Sequence, residues 1–223
     1  YNMNLFRKKI KNSDYKIDQE IWLPLSFDNE KSNENSEKIT NKIDNKKIKE
    51  NIPRNIVEPL FGEKYKNVTV SSNSLSNCIF YLISGHGGPD PGAIGYKDGN
   101  ELHEDEYAYD VTLRFARKLM ENGAEVYIIV QDENDGIRDE KYLNNSSNEY
   151  HINKKPIPLI QKDRLSERII IINDLYNQNK SKNKKQYCVE IHVDSRYTGQ
   201  KVDIFFYYQN ANSEGKKLAN ALM

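Results

Sequence analysis

The segment Ile79-Phe80-Tyr81-Leu82-Ile83-Ser84-Gly85-His86-Gly87-Gly88-Pro89-Asp90-Pro91-Gly92-Ala93-Ile94-Gly95 carries the reading of this chain. A run of β-forming residues ends in a turn so dense in Gly and Pro that neither strand nor helix continues through it. His86 stands in that turn, at the C-terminal end of the predicted strand, among glycines that let other groups approach closely. In open α/β sheets, ligands bind outside the carboxyl ends of the strands.

Two further segments have the same character. Tyr187-Cys188-Val189-Glu190-Ile191-His192-Val193-Asp194 reads as a second buried strand with His192 near its end, before the polar Ser195-Arg196. Between the two strands lies Glu101-Leu102-His103-Glu104-Asp105-Glu106, acidic and placed just ahead of a helical pattern. Taken singly, a histidine at a strand end is usually a hydrogen-bonded structural residue, and acids at a helix start usually serve the helix dipole. Taken together, two histidines and a carboxylate on separate element ends fit a catalytic zinc site, which has three protein ligands and one open position.

Around these segments the chain alternates strand and helix. Residues 78–84 form the first strand. Residues 104–122 form a helix with Tyr107, Val111, Phe115 and Leu119 at fourfold spacing, flanked by Ala108 and Ala116, followed by Gly123 in a helix-ending position. A second strand covers 125–130, and residues 132–158 form a long polar insertion at the lid or rim of the site. A second helix covers 159–178 with Ile169, Ile172, Leu175 and Tyr176 inward. Strands follow at 187–193 and 202–208, and a last helix starts near Ser213, a capping residue. This order predicts an α/β fold, a twisted, mostly parallel or mixed sheet with helices on both faces.

The chain has 223 residues, with 33 basic and 33 acidic side chains. That balance provides no global attraction to nucleic acid or to membrane, and no membrane span is present. Only 37% of the residues are hydrophobic, so a sizeable part is not core. Residues 26–56 are dominated by Asn, Lys, Glu, Asp and Ser and read as a linker, because they bury too little apolar surface to offset ordering entropy. Residues 56–61 are a short apolar patch that packs against the following module. Cys78 and Cys188 read by default as buried free thiols; a disulfide between them requires their strands to be neighbours. The start at Tyr1 and the end at Met223 within a helical pattern suggest a fragment. A monomer is the expected state.

The run from Gly85 to Gly95, quoted above, resembles the opening motif of the zinc-dependent N-acetylmuramoyl-L-alanine amidases, the amidase_3 family. Companion pieces follow in the family's order: Glu104 opening a helix that ends Ala116-Arg117-Lys118-Leu119; Gly123-Ala124-Glu125-Val126-Tyr127-Ile128-Ile129 as a strand; Arg168 followed by Asn173 on a helix; and Ile191-His192-Val193-Asp194, with Asp194 where the family usually has Asn. The resemblance covers residues 79–223. Pro89 and the stretch from Glu104 to Asp110 look most like the Bacteroidetes branch. Tyr15-Lys16-Ile17-Asp18-Gln19-Glu20-Ile21-Trp22-Leu23-Pro24 resembles the end of a LysM module, a binder of peptidoglycan glycan chains. The organisation implied is a LysM-like tail at 1–25, a linker at 26–56 and a C-terminally incomplete amidase domain at 57–223.

The resemblance implies hydrolysis of the amide between N-acetylmuramic acid and the L-alanine of the peptidoglycan stem peptide, in the cell envelope, periplasmic or secreted. It implies Zn2+ held by His86, Glu104 and His192. Asp90, Asp194 and Glu190 are candidates to orient these ligands, and Arg196 to contact the substrate. Glu101 and Glu106 compete with Glu104. Counting back from Ala116-Arg117-Lys118-Leu119, the family's glutamate falls near Ala108, and Glu104 lies one turn earlier on the same helical face. Glu106 is expected to complement the helix dipole and His103 to sit on the rim. Glu190 departs from the family pattern, and strand alternation places it on the face of His192. The family's general-base glutamate is expected beyond Met223.

Other readings are weaker. His86-Gly87-Gly88 is like an esterase oxyanion loop, but no G-x-S-x-G elbow accompanies it. H-E-x-x-H does not occur, which argues against the common zinc peptidases. A non-catalytic peptidoglycan-binding protein with an amidase-like fold is the remaining alternative.

Overall fold

A computed structural model describes residues 3–6, 54–193, 206–209 and 212–222. The chain divides into two compact units, one of residues 48–196 and one combining 1–47 with 197–223. The segment resembling a LysM tail, Asp194 and Arg196 lie outside the described residues.

In the smaller unit, β1 (Met3–Phe6) pairs antiparallel with the final strand, Phe206–Gln209. The helix Ser213–Leu222 follows that strand. Its cap is Asn212 rather than Ser213: the Asn212 side-chain oxygen accepts from the Gly215 N–H at 2.9 Å, satisfying one orphan donor of the first turn.

The larger unit begins with an antiparallel pair, β2 (Arg54–Val57) and β3 (Asn67–Val70), joined through a 3-10 turn and the one-turn helix α1 (Gly62–Tyr65). Phe61 is fully buried, and Ile56 and Leu60 pack on the same cluster, so the apolar patch docks as expected. Next come β4 (Cys78–Ser84), the hairpin β5 (Ile94–Lys97) and β6 (Asn100–His103), and α2 (Glu104–Glu121). They are followed by β7 (Glu125–Ile128), the short pair β8 (Val130–Gln131) and β9 (Tyr150–His151), α3 (Gln161–Asn179) and β10 (Lys185–Ile191).

The central sheet is parallel, in the order β10-β4-β7. β4 is the middle strand, and six of its seven residues are buried. A strand covered on both faces reads as a continuous apolar run, which is why this one stands out in sequence. Side chains alternate across the sheet. Phe80 and Leu82 meet Tyr109, Leu113 and Ala116 of α2, while Ile79, Tyr81 and Ile83 meet Ile171 of α3. The helices therefore cover opposite faces, as the alternating pattern predicts. The chain leaves β4 toward β7 through α2 and returns to the other side of β4 through α3. The gap between the carboxyl ends of β4 and β10 is thus a topological switch point, where doubly wound sheets bind ligands.

Several sequence expectations shift. The inward face of α2 is Tyr109, Leu113, Ala116 and Met120, with Ala108, Thr112 and Leu119; Val111 is 44% exposed. A strict fourfold stripe slants by about 40° per step around a 3.6-residue helix, so its members cannot all face one sheet. On α3, Ile169 and Tyr176 point outward, and the buried positions include Arg164, Arg168 and Asn179 beside Ile171. The 132–158 insertion is packed down beside the His86 turn. Ile137, Leu143 and Ile157 are buried, Arg138 pairs with Glu106 at 2.8 Å, and Glu149 accepts from the Gly88 N–H at 2.7 Å. The cysteines are half-buried (Cys78) and exposed (Cys188), and both are free. Their strands are neighbours, but Cys78 pairs with Lys185 and Cys188 with Tyr81. Three residues of offset separate them by roughly 10 Å along the strands, beyond the ~7 Å a disulfide spans.

Leu113→Ala is expected to destabilise the unit by about 2–5 kcal/mol, and Val111→Ala by no more than about 0.5 kcal/mol. Urea unfolding followed by circular dichroism separates this packing from the slanted stripe, which reverses the order.

Candidate metal centre

β4 and β10 end level with each other. Ser84 pairs with Ile191, and the Gly85 N–H extends the ladder by donating to the Ile191 carbonyl at 2.7 Å. His192 follows Ile191 directly, and His86 follows Gly85. Their rings stand 5.0 Å apart, nearly perpendicular at 87°. Gly85 makes this possible, because a Cβ there would overlap the His192 ring. His86 takes a left-handed backbone, φ 61°, a conformation that costs a non-glycine residue of order 1 kcal/mol and persists only where its surroundings enforce it. Arg168 Nη2 supplies part of that enforcement by donating to the His86 carbonyl.

The β5–β6 hairpin brings the third group. It turns at Asp98-Gly99, with φ 52° and 82°, the positive pair of a type I′ turn. The chain therefore leaves at Ala93 and returns at Glu104, the first residue of α2. The Glu104 N–H donates to the Ala93 carbonyl at 2.9 Å, and the Ala93 N–H donates to Glu104 Oε2 at 3.0 Å. The carboxylate lands between the rings, Oε2 3.3 Å from His86 Nε2 and Oε1 3.0 Å from His192 Nδ1. A Cβ on Gly92 would sit 2.7 Å from His86 Cδ2 and 2.8 Å from Glu104 Oε2. One donor atom from each of His86, Glu104 and His192 falls within 4.8 Å of the others, and no other such group converges among the described residues.

Two imidazole nitrogens and a carboxylate oxygen are a donor set suited to zinc. Glu104 is 5% exposed, and a carboxylate so enclosed requires cationic or proton-donating neighbours. The residues present therefore fit a zinc ion.

Further charges hold these groups. Asp90 Oδ2 lies 3.0 Å from His86 Nδ1, and Oδ1 accepts from the Gly92 N–H at 3.2 Å. Burial pushes the Asp90 carboxyl up, but His86, the Gly92 N–H and Arg164 outweigh it and hold it below its ordinary value. Glu190 shows the same balance: burial raises it, and His192, Arg168 and His86 bring it below the usual range. His192 is raised, first by Glu190, against the opposing effect of burial, with Glu104 adding to the rise.

The remaining sequence candidates are accounted for as follows. Glu101 bonds Tyr96 and His103 on the exposed hairpin, away from the convergent group. His103 bonds Glu101 and is no part of that group. Glu106 is buried and paired with Arg138 rather than facing solvent at the helix end. Glu190 does share a neighbourhood with His192, at 3.5 Å from Nε2. Arg164 is absent from the sequence-derived set. The available signal was the pair Arg164 and Arg168, one turn apart on a helix whose apolar residues leave that stripe unfilled.

Next to Glu104, Asp105 is 2% exposed, and its Oδ2 lacks a hydrogen-bond partner. Burial, with Glu149 and Glu106 nearby, pushes it from 3.8 to about 7. A carboxyl whose folded value is raised contributes full stability below its unfolded value and loses it as pH rises through the folded one. Metal-free protein is thus expected to lose stability between pH 3.8 and about 7, and Asp105→Asn to flatten that decline. Chemical denaturation at pH 5 and pH 8 checks this, and an equally steep decline in the variant contradicts it.

The sequence model of the amidase_3 family, described as N-acetylmuramoyl-L-alanine amidase, matches residues 80–223. No curated protein and no solved structure matches the chain. Among the described residues no helix is long and apolar enough to cross a membrane. The matched span starts within β4 and takes in His86, Glu104 and His192, and on that match the chain belongs to the N-acetylmuramoyl-L-alanine amidase family, hydrolases that act on peptidoglycan.

Proposed function

We propose that this protein is a zinc-dependent hydrolase of the cell envelope that cleaves the amide joining the lactyl group of N-acetylmuramic acid to L-alanine. The observation that carries this reading is the seating of the Glu104 carboxylate between His86 and His192 at the switch point of the sheet. His86, Glu104 and His192 would hold the zinc. When bound, zinc supplies Lewis acidity, polarising an amide carbonyl and making water acidic enough to attack at neutral pH.

The chain's own residues prepare the site. Asp90 accepts at His86 Nδ1, which leaves Nε2 directed at Glu104. Glu104 brings one negative charge to the cation, and its bond from the Ala93 N–H fixes one oxygen. The glycines at 85 and 92 keep the space between the three groups free of side chains. Arg196 is proposed to contact carboxylates of the stem peptide.

Incubation of the complete protein, including the region expected to supply the general-base glutamate, with purified peptidoglycan, with product analysis by chromatography and mass spectrometry, tests this function. Free stem peptides are expected, lost on chelation and restored by zinc. Glu104→Ala is expected to abolish release. Absence of release, or release that survives complete zinc removal, contradicts the proposal. Binding to peptidoglycan without release supports a wall-binding role instead.

A further inference from the structure

We infer that two buried arginines of α3 act as positioning residues for the metal centre, each through a carboxylate that holds one of the two histidines. Arg164 and Arg168 lie one turn apart on α3, so their side chains leave the same face. Both are almost fully enclosed, 6% and 4% exposed. Arginine is seldom buried unless paired, and each has a carboxylate that continues to a histidine. Arg164 Nη2 donates to Asp90 Oδ2, the same oxygen that lies 3.0 Å from His86 Nδ1. Arg168 Nη1 is 3.6 Å from Glu190 Oε1, which is itself 3.5 Å from His192 Nε2. The helix thus repeats one arrangement, arginine to carboxylate to imidazole, once for each strand end.

The two branches are braced from outside. Arg164 Nη1 also donates to the carbonyls of Pro158 at 3.2 Å and Leu159 at 2.5 Å, which anchor it to the chain entering α3. Arg168 Nη2 donates to the His86 carbonyl, so the second arginine also grips the backbone of the first histidine. Asp90 is thus hydrogen-bonded to a cation behind it and a ring in front, and Glu190 lies within ion-pair distance of both of its partners. A histidine ligand whose far ring nitrogen is held in this way presents its near nitrogen in one orientation, and loss of such outer partners typically weakens metal binding by roughly 10–100-fold. Here the outer partner is itself held by a rigid helix, so α3 sets the geometry without touching the metal.

This inference rests on the proposed metal site at His86, Glu104 and His192. The test is a zinc titration of the full chain against a chelating indicator, with cobalt absorption spectra as a report on ligand geometry. Wild type, His86→Ala, Arg164→Met, Arg164→Lys, Asp90→Asn, the double variant Arg164→Met/Asp90→Asn, and Glu190→Gln are compared, with circular dichroism checking each fold. If wild type takes up no zinc, or His86→Ala binds as wild type does, the metal site itself is wrong. With that site intact, Arg164→Met and Asp90→Asn are each expected to weaken zinc by roughly tenfold or more and to alter the cobalt bands. The double variant is expected to be no weaker than Asp90→Asn, because the arginine acts through Asp90. Arg164→Lys is expected to restore part of the loss, and Glu190→Gln to weaken zinc on the His192 branch. Wild-type affinity in folded Arg164→Met, or losses that multiply in the double variant, overturns the inference. Should Arg164→Met fail to fold, Asp90→Asn and Glu190→Gln decide: wild-type affinity and spectra in both overturn it.

Discussion

The pairing of Ser84 with Ile191 is the constraint on which the site depends. Parallel neighbours that end level deliver the residues after them to one place, and here those residues are His86 and His192. Shifting β10 by one residue would carry His192 to the opposite face of the sheet. Gly85 completes the arrangement by leaving room for the His192 ring. The helix that leaves β4 and the helix that enters β10 cover opposite faces of the sheet, and the strand order reverses between these two strands, which opens a crevice at their ends. Fold and site thus share one cause.

Electrostatics gives the second layer of order. Three carboxylates, Asp90, Glu104 and Glu190, crowd two imidazoles, and the enclosed cations Arg164 and Arg168 come from α3. Buried charges of one sign are costly unless opposed. The arginines offset the outer carboxylates, while among the described residues Glu104 has only the imidazoles and a backbone N–H beside it. That imbalance is what a divalent cation would correct.

Much of this was legible in the sequence because its signals are local. The apolar run of β4, its glycine-rich exit and the capped pattern of α2 placed those elements within a residue of where they lie. The turn signal Asp98-Gly99 was equally local and would have revealed the hairpin that carries Glu104 back to His86. What hydrophobic periodicity cannot show is an inward face made of charge. Arg164 reads as solvent-facing until its partner Asp90 is found 74 residues away, and of the two isoleucines expected inward on α3, Ile172 packs on the core while Ile169 is exposed. The offset of Cys78 and Cys188 was hidden for the same reason, since strand order alone does not give register.

The central claim is that His86, Glu104 and His192 converge on one zinc ion. Crystals of the protein grown with zinc, with diffraction measured on both sides of the zinc absorption edge, test it most directly. The account predicts one anomalous peak at roughly 2.0–2.2 Å from a nitrogen of each histidine and an oxygen of Glu104. A peak bound by Glu101 or Glu106 in place of Glu104, or no peak at the ends of β4 and β10, would contradict it.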